Sequence, residues 1–419
     1  MRPRNLAVFA AVFLSAVFAL PAQTLTLEDC YASLEANYPL AKQKEMYEHQ
    51  NRLEQQVLEN GKLPQLQFGA QATYQSEVTE VPLPNSPIEP LSKDQYKATL
   101  TAQQLLFHGG TIDASVALMD LQKQTRQKWV EVSLQQLKAK VNQLYFSILM
   151  HDNQFELLAT QKSTLGTALA EVTSAVHNGV ALPSSDKVLQ AELLLLKQRI
   201  LENRIQKKAL VVQLLQTIGQ PIDTIVHFET APVTAKSKVD FQSPRKQWYQ
   251  LQREALNQQQ LLLSKSNVPT VSAFVTGGYG KPGLNLLDNS FRPYYLAGLK
   301  LDWKVFDWNS NKIQRSSLEV SKEMIDVEEE LFDLTTKNEL SQQQVRIDQL
   351  SAAIEIDIAI VELQEAVVKA SQSQLRNGVI TASSYLTDLT KLFEAKTNEA
   401  VHRIELQMAI ANYNVLLGY

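Results

Sequence analysis

The chain has 419 residues, 40 of them basic and 44 acidic, for a formal charge of −4. That near-balance leaves no basic stripe and excludes nucleic acid as a partner. A single cysteine, Cys30, excludes an intramolecular disulfide framework, and six histidines with no pair at ligand spacing and no cysteine partner offer no zinc site.

Residues 1–22 read as a secretory signal. Arg2 and Arg4 precede an apolar segment from Leu6 to Leu20, and Pro21-Ala22 places a small residue at the cleavage point. The segment is short for a transmembrane helix, which needs roughly 20 residues. Losing Arg2 and Arg4 takes the net charge from −4 to −6. Asp29 and the distance from the apolar segment argue against a lipid on Cys30. No later apolar run is long enough to span a bilayer. An exported chain of this kind is periplasmic, extracellular, or in the outer membrane as a β-barrel.

A first repeat is expected over 23–219, with leading helices over 24–62. Thr26 caps them with Glu28 and Asp29 in the first turn, Tyr38-Pro39 interrupts, and Gly61 stands at the natural C′ position. The period then changes. Leu66, Phe68, Ala70, Ala72 and Tyr74 alternate with Gln65, Gln67, Gly69, Gln71 and Thr73, which predicts a strand over 64–74. Tyr96, Ala98, Leu100 and Ala102 alternate with Lys97, Thr99, Thr101 and Gln103 and predict another over 95–106. The proline-rich stretch 81–87 reads as the loop between them. A proline-free run follows over 111–177. As one helix it would extend about 100 Å, far beyond globular lengths, and implies coiled-coil packing. It ends at Asn178-Gly179-Val180, and a return helix is expected over 184–218. Residues 220–246, with Pro221, Pro232 and Pro244, read as a linker.

The second repeat, 247–419, says the same thing again. Strands are expected over 269–279 and 293–305, a long helix over 310–376 and a return helix over 383–417. Phe107, Asn178-Gly179-Val180 and Ile218-Gly219 recur as Phe306, Asn377-Gly378-Val379 and Leu417-Gly418, each 199 residues on. Leu63-Pro64 and Val268-Pro269 stand 205 apart, so only the loop between the strands has changed length.

Two repeats supply four strands, and single-chain membrane barrels start at about eight. Several chains must therefore share a barrel if the apolar faces meet lipid. Two chains would give eight strands and a lumen filled by side chains; three would give 12 and a usable channel. Long, Gln-rich helices of moderate charge suit a single-layered tube, wet on both faces and apolar along its seams.

The order and spacing of these features resemble the TolC-like outer-membrane efflux proteins across essentially the whole mature sequence. The matching residues are Leu25-Thr26-Leu27-Glu28-Asp29, Asn37-Tyr38-Pro39, Leu63-Pro64, Phe107 and Phe306, and the two Gly-Val tips. The resemblance implies an α+β membrane protein whose homotrimer forms a 12-stranded outer-membrane β-barrel continuous with a long periplasmic α-helical barrel. It implies a passive conduit, set in outer-membrane lipid of a Gram-negative cell, that takes cargo from an inner-membrane pump through a periplasmic adaptor. Selection of the cargo would then lie mostly with the pump. The tips would dock the adaptor, which makes Asn178, Gly179, Val180, Asp186, Asn377, Gly378 and Val379 contact candidates. The same residues serve as helix C-caps, with Asp186 complementing a helix dipole. Some members ring the pore with two carboxylates after the second tip. Counting from Gly378, those positions fall on Ser384 and Thr387, so this chain departs from the pattern. Asp388 is adjacent but about 100° further round the helix. These three are the gate candidates. An excess charge of −6 facing inward would make the lumen acidic.

Tyr74, Tyr96, Tyr279, Tyr294, Tyr295 and Trp303 are candidates for an interfacial aromatic girdle. An enzyme is not expected, and no cofactor is implied. No phosphate-binding loop occurs, and Gly277-Gly278-Tyr279-Gly280 closes a strand without a following helix. The alternative reading is a periplasmic or surface coiled-coil scaffold with no pore.

Overall fold

The computed structural model of the chain describes residues 23–80, 90–222, 226–229, 232–236 and 243–419. Residues 1–22, read above as a secretory signal, the proline-rich stretch 81–87 and parts of the 220–246 connection lie outside them. In chain order the elements are β1 (Gln23–Leu25), α1 (Leu27–Asn37), a 3-10 turn (Pro39–Lys42), α2 (Gln43–Asn60), β2 (Gln65–Tyr74), β3 (Asp94–Phe107), α3 (Thr111–His177) and α4 (Ser185–Thr217). They continue with β4 (Val226–Phe228), α5 (Pro244–Lys265), β5 (Thr270–Lys281), β6 (Arg292–Asp302), α6 (Ser310–Arg376) and α7 (Ala382–Leu416). No helix among the described residues is long and apolar enough to cross a membrane.

Thr26 caps α1 reciprocally. Its hydroxyl accepts from the Asp29 amide at 3.1 Å, and the Asp29 carboxylate accepts from the Thr26 amide at 3.0 Å. The Thr26 hydroxyl also donates to the Asp29 carboxylate at 2.7 Å, and this bond, with that from the Thr26 amide, holds the Asp29 carboxyl below its usual range. Leu27, Cys30 and Leu34 are buried on the inner face of the helix. Burial pushes the Cys30 thiol up to about 12, so this cysteine is a core residue. α2 ends at Gly61 with φ −63°, an ordinary right-handed value, so the left-handed C′ role expected there is not taken up.

The connection between the halves is more structured than a linker. β4 pairs in parallel with β1 through Gln23↔Val226 and Leu25↔Phe228. The Tyr145 hydroxyl lies 2.7 Å from the Glu229 carbonyl and 3.1 Å from the Leu25 carbonyl and donates to this ribbon. The helix α5 starts inside the span expected to be linker, because Pro244 opens a helix here instead of breaking one. Ser243 is the N-cap, its hydroxyl accepting from the Arg245 amide at 3.2 Å, and Pro244 sits where a missing N–H goes unnoticed. Next to it the Arg245 guanidinium lies 5.0–5.3 Å from the ring centroids of Trp129, Trp248 and Tyr249, and 6.0 Å from that of Phe332. Such contacts contribute about 0.5–2 kcal/mol each and fasten the start of α5.

The four long strands form one antiparallel sheet in the order β2-β3-β5-β6. Its register keeps like with like. Leu66 faces Ala102, Phe68 faces Leu100, Ala102 faces Val275, and Val271 faces Leu301. The other surface pairs Gln67 with Thr101 and Thr101 with Thr276, whose hydroxyls are 2.9 Å apart; Gln103 donates to the Ser272 hydroxyl at 3.2 Å. A one-residue slip anywhere would exchange the two surfaces, so the alternation fixes the register. Phe274 and Tyr294 are the aromatic exceptions on the polar surface. Tyr294 covers Gly278, where a Cβ would sit 2.3 Å from its ring. Tyr294 therefore leaves the girdle set, because it lies on the surface opposite Tyr295. On the apolar surface Tyr96 stacks on Phe291, which stacks on Tyr279.

The duplication is written into the backbone. Gly109, Gly110, Gly179 and Gly219 have positive φ, and so do Trp308, Asn309, Gly378 and Gly418, each 199 residues further on. Ahead of α3 the left-handed pair is Gly109-Gly110; ahead of α6 it is Trp308-Asn309. The second pair carries side chains in a region that costs L-residues about 1–2 kcal/mol.

The chain gathers into two compact units. One takes in the chain to Tyr38, Lys140–Thr234 and Arg346–Ala411; the other takes in Pro39–Ala139, Ala235–Val345 and Asn412–Tyr419. Both α3 and α6 contribute to each. Each unit leaves two apolar stripes exposed at heptad steps. The second has Met46, Leu53 and Val57 on α2, and Val320, Met324, Val327, Leu331 and Leu334 on α6. The first has Leu194, Leu201 and Ile205 on α4, and Ile356, Leu363 and Val367 on α6. Steps of three, four and seven keep each set on one helix face, the seam pattern of a coiled coil without its partner.

Gly109→Ala tests the backbone reading. It adds a Cβ at φ +62°, 2.7 Å from Val268, and is expected to lower stability by about 1–3 kcal/mol. Gly110→Ala meets no neighbouring atom and should lose only the backbone part. Thermal unfolding of the two variants side by side measures the difference.

Candidate functional site: the helical tips and the polar surface of the sheet

The first tip joins α3 to α4 and the second joins α6 to α7. Both close with the same hydrogen bonds. The Val180 amide donates to the Ala175 carbonyl at 2.8 Å, and the Val379 amide donates to the Gln374 carbonyl at 2.8 Å. These six-to-one bonds need a left-handed residue just before them, supplied by Gly179 at φ +71° and Gly378 at φ +69°. Nothing lies within 4 Å of the Cβ that either glycine lacks. Asn178 and Asn377 are exposed beside them. Val180 and Val379 are 74% and 71% exposed, although both are apolar. Six of the seven docking candidates thus fall on the tips and face outward. The exception is Asp186, buried in the first turn of α4; Gln190 and Lys187 approach one carboxylate oxygen, and the other finds no partner among the described residues.

Between the tips lies a cavity of about 410 Å³, lined by Val172, Leu182, Leu375, Ile380 and the Glu171–Arg376 pair, with Val180 and Val379 at its edge. The Arg376 guanidinium grips the Glu171 carboxylate with two hydrogen bonds, of 2.7 and 3.0 Å, and links α6 to α3. That bond holds the guanidinium above its usual range. Below the cavity Leu165, Val172, Leu189, Val368, Leu389 and Phe393 form an apolar core. Tyr385 is fully buried in that core and packs the seam. Burial raises its phenol above the ordinary range, and its hydroxyl has no hydrogen-bond partner among the described residues.

Of the gate candidates, Ser384 and Thr387 are exposed one turn apart on α7. Thr387 donates to the Ser383 carbonyl at 3.0 Å. Asp388 turns the other way and accepts a hydrogen bond from the buried Ser371 hydroxyl on α6. Its carboxylate is thereby committed to the seam and offers no free acid to the face bearing Ser384 and Thr387. The Glu171–Arg376 pair was not legible in the sequence, for its members lie 205 residues apart. One signal did exist: 199 residues from Glu171 and Arg376 stand Ala370 and His177, so the pair is a place where the repeats differ.

The polar surface of the sheet is built from Gln, Thr, Ser and Gly at most of its positions. Its charges are few. Lys300 pairs with Asp302 at 3.0 Å, and Arg292 with Asp288 in the preceding loop at 3.0 Å. Lys97 has no carboxylate partner among the described residues; its ammonium lies 5.7 Å from the Tyr294 ring centroid. This surface is not acidic. No group of three or more metal-binding side chains occurs among the described residues.

No family model matches the sequence, and no curated protein matches it either. Solved structures do match the fold. The outer membrane protein VceC from Vibrio cholerae is 14% identical, with a TM-score of 0.69 over 94% of this chain and 96% of that one. A membrane protein from Pseudomonas aeruginosa is 16% identical, with a TM-score of 0.69 over 94% of this chain and 90% of that one. The open state of the Neisseria gonorrhoeae MtrE outer membrane channel is 15% identical, with a TM-score of 0.67 over 94% of this chain and 88% of that one. The chain has the fold of these outer-membrane proteins, the TolC-like fold that its sequence resembles; at these identities the likeness is one of fold.

Two substitutions check the tip geometry. Tyr385→Phe removes a buried hydroxyl that has no partner and is expected to leave thermal stability unchanged or to raise it by about 1 kcal/mol. Arg376→Glu sets two carboxylates against each other and should raise proteolytic cleavage at the tips, while Glu171→Arg combined with Arg376→Glu should restore protection.

Proposed function

We propose that the chain is one third of an outer-membrane channel that passes cargo passively from a periplasmic adaptor and an inner-membrane pump to the exterior. The observation that carries this reading is the sheet. It has one continuous apolar surface, one polar surface, and two open edges, β2 and β6. In lipid every backbone N–H and C=O must find a partner, so an open edge has to be paired. Because β2 and β6 run in opposite directions, β6 of one copy can pair antiparallel with β2 of the next. Three copies would supply 12 strands. The exposed heptad stripes support the same arithmetic, since each unit has one stripe to give to each neighbour. Fold similarity to outer membrane channels, one of them in an open state, points the same way.

In this reading the sheet sits in the outer membrane of a Gram-negative cell and the tips hang in the periplasm. The adaptor docks on Asn178, Gly179 and Val180 and on Asn377, Gly378 and Val379, with apolar side chains entering the cavity between the tips. Asp186 acts from behind this surface by shaping the first turn of α4. Ser384 and Thr387 line the passage where it narrows, as an uncharged gate. Opening requires the tips to part, which the Glu171–Arg376 pair resists. Energy comes from the pump, and the chain itself only conducts.

The direct test is to extract the protein natively and record its membrane of origin and its mass in detergent. Outer-membrane origin with three times the chain mass is the expected result. A soluble monomer or dimer would overturn the reading and favour the scaffold. Gly378→Trp should then impair export while the trimer survives; unchanged export would remove the second tip from the docking surface.

A further inference from the structure

The polar surface of the sheet carries an unbalanced charge. Along β2, β3, β5 and β6 its ionisable side chains are Lys97, Arg292, Lys300 and Asp302. Lys300 and Asp302 neutralise each other, and Arg292 is taken up by Asp288. Lys97 remains. Its lateral partners in the register are Gln71 on β2 and Gly280 on β5, and Thr99, next on the same surface, faces Gly69 and Gly278. None is an acid. The residue beneath it is Tyr294, whose ring holds the ammonium by its π face and leaves its charge uncancelled. Tyr294 is in turn seated by Gly278, since any larger residue there would displace the ring. The chain as a whole is acidic, so a cation is isolated on this surface against the overall balance.

We propose that Lys97, repeated in each copy, forms a cationic ring inside the barrel and makes this stretch of the passage favour anionic over cationic cargo. The proposal rests on the channel reading above. A few like charges suffice in such a place, because low-dielectric walls focus their field along a narrow aqueous lumen. Rings of Lys or Arg impose anion preference in pores by this route. Since Lys97 lies on an inner strand of the chain's own sheet, a neighbouring copy adds no strand beside it, and the ring needs no contact between copies.

The test is the chloride-to-potassium permeability ratio of the full-length trimer, from reversal potentials in a potassium chloride gradient across a neutral-lipid bilayer. Lys97→Gln is expected to lower the ratio about twofold and Lys97→Glu to lower it further, while Lys97→Arg keeps the wild-type value. Mass in detergent checks that each variant is assembled, and Lys97→Gln carries the test if the glutamate variant does not assemble. Conducting variants that keep the wild-type ratio would overturn the proposal and leave the channel standing. A wild-type trimer that never conducts would bring down the channel reading and this proposal together, a pattern distinct from the first.

Discussion

Everything in this fold answers to the two open edges of a four-stranded sheet. A strand edge presents a row of backbone donors and acceptors, and in lipid each unsatisfied group costs several kcal/mol. Four strands cannot curl far enough to satisfy their own edges. On the channel reading the chain is thus incomplete, and further copies would complete it. The helices obey the same demand in another currency, that of apolar stripes left without a partner. The even number of strands matters too, because it leaves the two edges antiparallel and lets one copy pass the sheet on to the next without a break in pattern.

Much of this was legible in the sequence because it rests on periodicity. Leu66, Phe68 and Ala70 against Gln65, Gln67 and Gly69 announce a strand with two different surfaces, and the register preserves that division across all four strands. What escaped has no period. Strands β1 and β4 are three residues each, too short for any alternation. Pro244 looked like a breaker, and only its neighbour Ser243, acting as a cap, makes it a beginning. Tyr294 carried the composition of a girdle residue but the parity of the opposite surface. At the tips, Gly179 and Gly378 were recognisable because a left-handed turn demands them. The Glu171–Arg376 pair depends on how two hairpins meet, and no spacing within either one encodes it.

The two repeats share a backbone and differ in what they bury. Val172 and Leu189 pack in an apolar core to which both hairpins contribute, while their equivalents in the second, Ser371 and Asp388, form a hydrogen bond. Asp186 in the first is matched by Tyr385 in the second, each buried with a polar atom unpartnered. A hydrogen-bonded seam breaks at a sharper geometric threshold than a greasy one, because its strength falls steeply with distance and angle.

The 199-residue repeat also has a consequence for symmetry. If three copies close a ring, six hairpins stand around it, nearly alike in backbone. The Glu171–Arg376 clasp occurs once per chain, so alternate joints in that ring are fastened differently. Such a ring would have six teeth but only a threefold axis, its clasped joints resisting separation where the alternate joints lack that restraint.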